Sequence, residues 1–536
     1  MRREQVFWGW GEPGAGPELP HGAAKLLRDE LGVGGEVVSR PVALEDVRLR
    51  PPALPAAARE RLVAAVGAGH VRDDQAARVL RCRGKSYLDL LAQRAGDCEA
   101  APDAVVAPAD AERVAAVLAA CAETGVAVVP FGGGTSVVGG LEPLRGGFES
   151  VISLDLGRLD GLLGADPRSL IATFGAGTRL PEADRALRAR GLALAHVPQS
   201  FEWASVGGCA ATRSAGQLSS GHGRIDDQVL ALDCVTPAGP LATLEVPASA
   251  AGPSLRQLLM GSEGALGVLT RVALRVRRAP AAVRYEGWAL PGFEAGCEAL
   301  RALAQDGVAP DVARLSDEEE TRGTLILAGT GRAGRALLGG RALLVCGWEG
   351  EAIARRRGPV AARLLRHGGR PLGRRPGEAW RAARFAGPYL RDDLLDRGVM
   401  VETLETATTW TNLQRLHAAV TAALPAAHIG CHVSHLYETG ASLYFTVMAA
   451  QDAADPAGQW RAAKTAATQA ILSAGGTLTH HHAIGRDHAE WLAAEIGQPG
   501  IDTLWALKLR CDPHGLMNPG KVVLGCPGSS PKRRVS

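Results

Sequence analysis

The segment Val126–Ser136, which reads VAVVPFGGGTS, decides the fold. Its β-branched start predicts a strand, and three consecutive glycines follow almost directly. Because glycine tolerates positive φ, such a loop can aim several backbone N–H groups into one concavity, which suits a pyrophosphate. The pattern is neither G-x-G-x-x-G nor the P-loop with its lysine. Taken alone, the triplet is explained at least as well by a plain turn.

The residues around this loop alternate between strand and helix signals. Residues 104–107 are β-like, 112–123 form an alanine-rich helical window, and 126–129 are β-like again. This order predicts a β-α-β unit, and the loop after its second strand is a place where α/β proteins bind ligands. Further strands are predicted at 151–154, 170–174, 229–236 and 268–276. Together they predict one domain over about 98–280, after a helical region over 1–97.

The second half of the chain carries its own elements. Strands are predicted at 285–290, 398–402 and 442–448, and helices at 293–304 and 459–472. A Gly/Arg-rich connection covers 329–340, and the tail over 525–536 is predicted to be disordered. A basic stretch contains Arg355, Arg356, Arg357, Arg363, Arg366, Arg370, Arg374 and Arg375. Such a charge run favours a solvated helix and loop, and an anion site is the alternative.

The composition excludes several classes of protein. The chain has 536 residues with 59 Lys+Arg against 56 Asp+Glu, so its net charge of +3 gives no large uniform field that would attract nucleic acid. No apolar run approaches the ~18 residues that span a bilayer, and the first 20 residues contain no secretion signal, so we expect a cytoplasmic protein. The ten cysteines form no C-x-x-C pair, which predicts small buried side chains instead of a zinc or redox site.

Three later segments add to the glycine loop: QSFEWASVGG at 199–208, TRSAG at 212–216 and GSEGALGVLT at 261–270. In order and spacing, the four segments resemble the FAD-binding domain of the vanillyl-alcohol oxidase superfamily. The resemblance implies FAD, with its pyrophosphate on the glycine loop and the other segments around the isoalloxazine and ribityl chain. The implied cofactor-binding residues are Pro130, Phe131, Gly132, Gly133, Gly134, Thr135, Ser136, Gln199, Ser200, Phe201, Glu202, Trp203, Ala204, Ser205, Thr212, Arg213, Ser214, Ala215, Glu263, Gly264, Ala265, Leu266, Gly267, Val268 and Leu269.

The same resemblance implies an α+β fold with a two-subdomain FAD-binding domain of the PCMH type, an α/β cap domain and a C-terminal return segment. The FAD-binding domain would cover 98–280, the cap and substrate domain 281–475, and the segment that completes the active site 476–526, before a disordered tail at 527–536. Some members of the superfamily attach FAD through a His in or beside the glycine loop. This loop contains none, so we expect non-covalent FAD.

Six further motifs are WGWG at 8–11, GKSY at 84–87, ARLSD at 313–317, YLRD at 389–392, GASLYF at 440–445 and THHHAIG at 479–485. Together they resemble the alkyldihydroxyacetonephosphate synthase family. The resemblance implies an FAD-dependent alkyl transferase of ether lipid synthesis. Such an enzyme exchanges the acyl group of acyl-dihydroxyacetone phosphate for a long-chain fatty alcohol through an adduct at flavin N5. The lipid substrates imply peripheral contact with a membrane, and the family implies a homodimer.

Three consecutive histidines, His480, His481 and His482, allow several interpretations. On a strand, the first and third share one side and His481 takes the other. A solvated polar run is one interpretation and a metal site another, but the other candidate ligands form no recognised metal spacing. Those candidates are His428, His432 and His435. The resemblance implies a site without metal in which imidazole does acid/base work, and we expect His481 to be the base.

Four more residues gain a role only from the resemblance. Tyr444 alternates with apolar neighbours and would otherwise be an ordinary strand residue, yet the family places its catalytic proton donor or acceptor there. Arg314 and Arg391 would otherwise be surface cations; the family uses both inside the site, with Arg391 binding substrate through a guanidinium fork suited to phosphate. His196 matches another active-site histidine.

A different class of enzyme on the same fold is the main alternative, an FAD-dependent dehydrogenase or oxidase of 2-hydroxy acids. In that family the segments matching 440–445 and 480–485 usually read G-D-G-N-x-H and G-E-H-G-x-G, and they supply a His and a Glu to a metal. Here Tyr444 and Phe445 stand near the position of that His, and His481 stands at that of the Glu. Both differences favour the synthase. A flavin-binding protein without catalysis is the third class and explains the many polar residues least well.

Overall fold

The computed structural model describes residues 3–16, 19–20, 22–329 and 338–523. The predicted connection at 329–340 lies mostly outside the described residues, and the predicted tail lies wholly outside them.

The strands are β1 (Val71–Arg72), β2 (Ala104–Val106), β3 (Val126–Phe131), β4 (Ser150–Asp155), β5 (Leu162–Asp166), β6 (Ile171–Gly175), β7 (Leu192–Ala193), β8 (Val229–Thr236), β9 (Gly239–Ala242), β10 (Val268–Arg275), β11 (Arg277–Arg278), β12 (Val283–Leu290), β13 (Val312–Ser316), β14 (Ala342–Glu349), β15 (Arg370–Gly373), β16 (Val399–Thr409), β17 (His428–Leu436) and β18 (Gly440–Ala450). The helices are α1 (Ala23–Leu31), α2 (Ala56–Val66), α3 (Gln75–Leu80), α4 (Tyr87–Arg94), α5 (Ala111–Thr124), α6 (Leu180–Arg188), α7 (Val206–Ala211), α8 (Ser219–His222), α9 (Ile225–Gln228), α10 (Leu255–Leu259), α11 (Phe293–Gln305), α12 (Glu318–Leu327), α13 (Ile353–Arg366), α14 (Arg374–Ala383), α15 (Gly387–Asp396), α16 (Leu413–Ala423), α17 (Pro456–Ser473) and α18 (Leu492–Cys511).

The first sheet contains the predicted β-α-β unit. Its strand order is β1-β2-β4-β3, and both β2 and β3 run parallel to β4. The crossover helix α5 begins at its N-cap Asp110 and buries Val114, Val117 and Leu118 against the sheet. Strand β3 runs two residues further than predicted, through Pro130, because it is the edge strand, where a missing N–H costs no ladder bond.

A second sheet of five antiparallel strands, in the order β5-β6-β10-β8-β9, forms the other half of the predicted FAD-binding domain. Helices α6 and α7 pack on it through Leu180, Leu187 and Val206, which are fully buried. The predicted strand at 229–236 is confirmed to the residue, and the strand predicted at 268–276 ends at Arg275.

The third sheet has seven strands in the order β15-β12-β14-β13-β17-β18-β16, and every neighbouring pair is antiparallel. One face carries the largest apolar core of the molecule, which includes Trp288, Leu443 and Phe445. Because side chains alternate along a strand, Tyr444 points to the opposite face, which lines a cavity. The alternation read from the sequence therefore placed Tyr444 correctly between two core residues.

The N-terminal region is helical only from α1 onwards. The described residues before it are irregular and pack on α15 through the WGWG motif. A Cβ on Gly9 would lie 2.6 Å from Asp392 Oδ2, and Gly11 has a φ of +81° with Tyr389 against it. The backbone N–H of Trp10 donates to the same Asp392 carboxylate. Glycine is thus required where this segment touches α15. The helical region predicted over 1–97 contains α1 to α4, and its extent as a domain stays a prediction.

The C-terminal segment returns to the first sheet beside the glycine loop. The N–H of Val128 donates to the carbonyl of Leu516, and the N–H of Asn518 donates to the carbonyl of Val128, both at 2.8 Å. The buried carboxylate of Asp512 accepts from the backbone of Met517 and from Lys508 Nζ at 2.7 Å. The domain boundaries at 97, 280 and 475 stay predictions. Among the described residues, no helix is long and apolar enough to cross a membrane.

We expect Asp512→Ala to lower the unfolding free energy by about 3–5 kcal/mol, because it leaves the buried Lys508 ammonium without its counter-ion. Thermal or denaturant unfolding measures the loss. Asp502→Ala is the matched control, since this exposed residue lies on α18 with Lys508 and, among the residues that the structure describes, accepts a side-chain hydrogen bond from Gln498 alone. Equal effects of the two changes would contradict the structural role of the ion pair.

Candidate active site

The glycine loop approaches the neighbouring chain so closely that side chains are excluded. A Cβ on Gly132 would lie 2.5 Å from Ser205 Oγ, and one on Gly133 would lie 2.4 Å from the carbonyl oxygen of Trp203. Gly134 has a φ of +72°, in the left-handed region that favours glycine. The triplet is therefore a close backbone contact between β3 and the segment before α7, and not a plain turn.

This loop leaves a row of backbone donors without partners. Between Gly133 and Val137, no backbone N–H donates a hydrogen bond to any group in the described part of the chain. All five residues line one cavity of about 610 Å³. Unpaired amides that converge on a cavity suit an anion such as the pyrophosphate of FAD. On this observation the residues present fit the cofactor that the sequence implies.

The structure brings most, but not all, of the predicted FAD-binding residues to this cavity. Those that line it are Pro130, Gly132, Gly133, Gly134, Thr135, Ser136, Gln199, Ser200, Ala204, Ser205, Thr212, Ser214, Ala215, Glu263, Gly264, Gly267 and Leu269. Those that do not are Phe131, Phe201, Glu202, Trp203, Arg213, Ala265, Leu266 and Val268. For this second group FAD contact stays a prediction, because a contiguous motif on a strand or turn exposes only part of its side chains to one cavity.

The excluded residues have structural partners instead. Glu202 accepts hydrogen bonds from Trp10 Nε1 and from the Tyr389 hydroxyl. Arg213 donates to the carbonyls of Gln257 and Met260. The contacts of Glu202 connect its segment to the N-terminal segment and to α15. Those of Arg213 connect the 212–216 segment to residues 257–260.

The three consecutive histidines do not lie on a strand. Residues 480–482 form bends, and the backbone N–H groups of His480, His481 and His482 all donate to the carboxylate of Glu405. The hydroxyl of Thr479 donates to the same carboxylate. The predicted alternation of sides is therefore wrong, because one buried acceptor collects three consecutive donors and curls the chain around it.

The other end of this loop is held by a second buried carboxylate. Glu263 Oε1 accepts from the N–H groups of Ile484 and Gly485 at 2.9 Å. Burial raises the pKa of Glu263 to about 7, and these backbone donors act in the opposite direction. Because Glu263 belongs to the GSEG motif of the FAD-binding domain and Glu405 to the cap, the loop at 479–485 is positioned by both domains.

Across the cap sheet, three functional side chains form one row. Tyr444 on β18 pairs directly with Glu405 on β16 and with His432 on β17. The phenol ring lies 4.8 Å from the ring of His432 and 6.1 Å from that of His481, measured between centroids. Burial raises the pKa of Tyr444 to about 12, so the phenol is protonated near neutral pH.

The histidines of the site are neutral. Burial lowers the pKa of His481 to about 3, with Glu405 acting in the opposite direction and His482 adding to the lowering. The pKa of His480 is also lowered to about 3. A neutral imidazole has a free lone pair, so His481 can accept a proton from a bound substrate.

Arg314 lies on the cavity wall inside a charged triad. Its Nη2 donates to Glu320 Oε1 at 2.8 Å and contacts His432 Nδ1 at 2.9 Å, and the same imidazole nitrogen lies 2.9 Å from Glu320. Burial raises the pKa of Glu320, but the Arg314 guanidinium and His432 hold it well below its usual range. Arg314 therefore lines the cavity with its charge balanced by Glu320, and its role in the reaction stays a prediction.

Arg391 also lines the cavity, and part of its fork is already used. Nε and Nη2 donate to Asp392 Oδ1, and Nη1 donates to the carbonyl of Lys85 at 3.0 Å.

His196 and His480 do not line the cavity. His196 is fully buried behind Ser214, 3.2 Å from its hydroxyl, and His480 lies behind His481 with Nε2 at 2.6 Å from the Tyr437 hydroxyl. Both histidines therefore lie outside the cavity lining, and their catalytic roles stay predictions.

The sequence missed Glu405, Glu320 and the proximity of His435. A charged residue in the alternating strand 399–409 is ordinarily a solvent-facing one, so no local signal marked Glu405. The sequence offered no recognised metal spacing for His435, yet one ring nitrogen of each of His435, His480 and His481 lies within 4.8 Å of the other two. Such a cluster has ligand types that a metal accepts. The metal-free site stays a prediction.

Comparison with known proteins agrees with this architecture. The FAD binding domain family matches residues 102–245, and the family of FAD linked oxidases, C-terminal domain, matches residues 279–522. An alkyldihydroxyacetonephosphate synthase of Trypanosoma brucei brucei is 31% identical over 97% of this chain and 92% of its own length. A solved structure of an alkyldihydroxyacetonephosphate synthase superposes with a TM-score of 0.83 at 27% identity, covering 96% of this chain and 98% of that one. The structure of p-cresol methylhydroxylase with substrate bound has a TM-score of 0.67 at 14% identity, covering 88% and 98%, which shows a shared fold.

We expect Gly133→Ala to reduce bound FAD at least about tenfold, because its Cβ would meet the carbonyl of Trp203 and displace the unpaired N–H groups. The ratio of flavin to protein absorbance after reconstitution measures the change. Gly147→Ala is the control, since a Cβ there meets open space in the same domain. Full flavin content in Gly133→Ala would contradict the assignment of this loop.

Acid should destabilise the protein below pH ~6.5, the ordinary pKa of histidine. His480, His481 and His488 have pKa values of about 3 in the folded protein because they are buried. Between these values the unfolded chain binds more protons, so stability falls as pH drops, by up to ~1.4 kcal/mol per pH unit for each imidazole. Thermal unfolding at a series of pH values measures this slope. His488→Gln should reduce it, and an unchanged slope in this variant would contradict the prediction.

Proposed function

Because the chain belongs to the alkyldihydroxyacetonephosphate synthase family, we propose that it exchanges the acyl group of acyl-dihydroxyacetone phosphate for a long-chain fatty alcohol. The observation that carries the proposal is that the unpaired amides of the glycine loop and the Tyr444–His481 pair line the same cavity. A cofactor held by its pyrophosphate on that loop and a substrate under the cap sheet would share this space. FAD is the cofactor, as its family domain shows, and we propose that it is bound without a covalent link.

The cavity also has the chemistry of a lipid site. Leu26, Leu327, Leu394, Val401 and Met448 line it together with the polar residues. Burial of an alkyl chain against such side chains contributes about 0.8 kcal/mol for each methylene. Polar and apolar side chains that line one cavity support a substrate with a charged headgroup and a long chain.

The exchange involves no net oxidation. A C1–O bond to the fatty acid breaks, a C1–O bond to the alcohol forms, one C1 proton must leave and return, and the alcohol proton must be removed. FAD in its reduced form supplies, when bound, a nucleophilic ring and an electron sink for this chemistry. The protein must supply the base, the groups that transfer protons and the residues that bind the headgroup.

We propose His481 as the base that takes the C1 proton. It is neutral, it lines the cavity, and Glu405 fixes its backbone and lies 3.4 Å from its Nδ1, where it can stabilise the imidazolium that forms. His482, whose Nδ1 lies 3.8 Å from the same carboxylate, is placed to share the proton.

We propose that the Tyr444 hydroxyl moves a proton between the bound oxygens and the imidazoles. Its phenol is protonated and lies between His432 and His481. Arg314 polarises the substrate carbonyl or phosphate from its triad with Glu320 and His432, and Arg391 binds the substrate headgroup with its remaining donors.

A homodimer in the cytoplasm that contacts membranes peripherally is part of the same proposal. It is supported by family membership and by the lipid character of the substrates. Light scattering tests the homodimer, and flotation with liposomes tests the contact with membranes.

Tyr444→Phe and His481→Gln should each lower exchange of labelled hexadecanol by about 100-fold or more, the usual contribution of a general acid or base. Bound flavin should be unchanged in both variants. His514→Gln, at an exposed position, is the control. Undiminished exchange in either variant would refute its role.

A 2-hydroxy acid dehydrogenase on the same fold is the second candidate, and the His435–His480–His481 cluster favours it because that class needs a metal. Anaerobic mixing with D-lactate or D-2-hydroxyglutarate separates the two functions. Bleaching of the flavin would support the dehydrogenase, while unchanged colour together with hexadecanol exchange would support the synthase.

A further inference from the structure

Arg384 is a cavity-lining cation with a buried donor that has no partner. It lies between α14 and α15 on the cavity wall. Its Nη1 is shielded from solvent and makes no hydrogen bond in the described structure. A buried cationic donor without an acceptor costs free energy, so its place on the wall needs an explanation.

The other cations of the cavity are already compensated. Arg314 is paired with Glu320, and Arg391 with Asp392. Lys85 Nζ donates to the carbonyls of Val6 and Phe7, and burial lowers its pKa to about 7. Within the residues that the structure describes, the Arg384 guanidinium has no carboxylate partner and no hydrogen bond. It is thus the cavity guanidinium whose charge remains uncompensated.

Its position is nevertheless fixed. The guanidinium carbon lies 4.9 Å from the ring centre of Phe385, which in turn stacks on Phe201 at 5.8 Å. Gln217 lies beside it on the cavity wall, with Nε2 3.2 Å from the Arg384 carbonyl and Oε1 unpartnered. A guanidinium held by an aromatic ring loses little side-chain entropy when an anion binds.

We propose that Arg384 binds the phosphate group of the ketone substrate, as a second headgroup cation in addition to Arg391, which lines the same cavity. This inference rests on the proposed function, since that function supplies a phosphorylated substrate. The phosphate carries a charge of about −1.5 to −2 at neutral pH, and Arg391 shares its charge with Asp392. The FAD pyrophosphate has its own donors in the glycine-loop amides. Arg384 provides the positive charge that the substrate phosphate still lacks.

Arg384→Gln tests the assignment in the FAD-loaded enzyme. We expect the KM for acyl-dihydroxyacetone phosphate to rise about tenfold or more, as for loss of a charge-assisted hydrogen bond. The KM for uncharged hexadecanol and the flavin content should stay unchanged. Arg384→Lys, which keeps the charge without the fork, should lie in between. Arg381→Gln is the matched control on α14, because this exposed arginine pairs with Glu378.

Direct binding separates this inference from the proposed function. Dihydroxyacetone phosphate and inorganic phosphate are titrated into the holoprotein by calorimetry, with no turnover required. Binding that is weakened about tenfold by Arg384→Gln, in a protein without exchange activity, would refute the function and retain the anion site. Equal binding by both proteins, or none by the wild type, overturns the site. Loss of FAD in the variant assigns Arg384 to the cofactor, and a lower melting temperature with unchanged KM assigns it to structure; both overturn the proposal.

Discussion

The carboxylate of Glu405 is the constraint on which the site depends. It accepts from three successive backbone N–H groups and from the hydroxyl of Thr479, all in the buried interface between the cap sheet and the C-terminal segment. A buried carboxylate is costly unless it is fully hydrogen-bonded, and here the loop supplies the donors. The loop depends on Glu405 in turn, because its three consecutive N–H groups are satisfied by this one acceptor and the chain curls around it. That curl brings the three imidazoles together on one side of Tyr444.

Glu263 extends the constraint to the cofactor domain. Its carboxylate accepts from the N–H groups of Ile484 and Gly485, while its own segment lines the same cavity as the glycine triplet. Residues 479–485 are therefore held by two acids from two different domains. The distance between the cofactor loop and the imidazoles is set by both contacts, so the catalytic geometry depends on docking of the cap and not on either domain alone.

Charge is distributed unevenly inside the cavity. The acids near the imidazoles are satisfied by protein donors. Within the described parts of the chain, the cavity arginines are paired except for Arg384, and the glycine-loop amides from Gly133 to Val137 are unpaired. Unpaired donors and apolar side chains that line one cavity make an environment for ligands that carry phosphates and long chains. The basic run that begins at Arg355 has a different character, because Arg356, Arg357 and Arg363 pair with Asp311, Glu286 and Asp306. Since Asp311 and Glu286 are buried, these arginines are neither simply solvated nor free to bind an external anion.

Local sequence determined the elements and the cofactor loop, because strands, helices and glycine turns follow from neighbours along the chain. The β-α-β unit, the strand at 229–236 and the placement of Tyr444 between two core residues were all predicted on that basis. Only the tertiary structure decided which acids hydrogen-bond the loop that carries the histidines and which of the motif residues line the cavity. It also decided that His196 and His480 lie outside the cavity lining. The physical reason is that these properties arise from hydrogen bonds between residues about 75 to 220 positions apart, such as Glu405 with His480 and Glu263 with Gly485. No periodicity or local motif encodes a bond that forms only when separate domains pack.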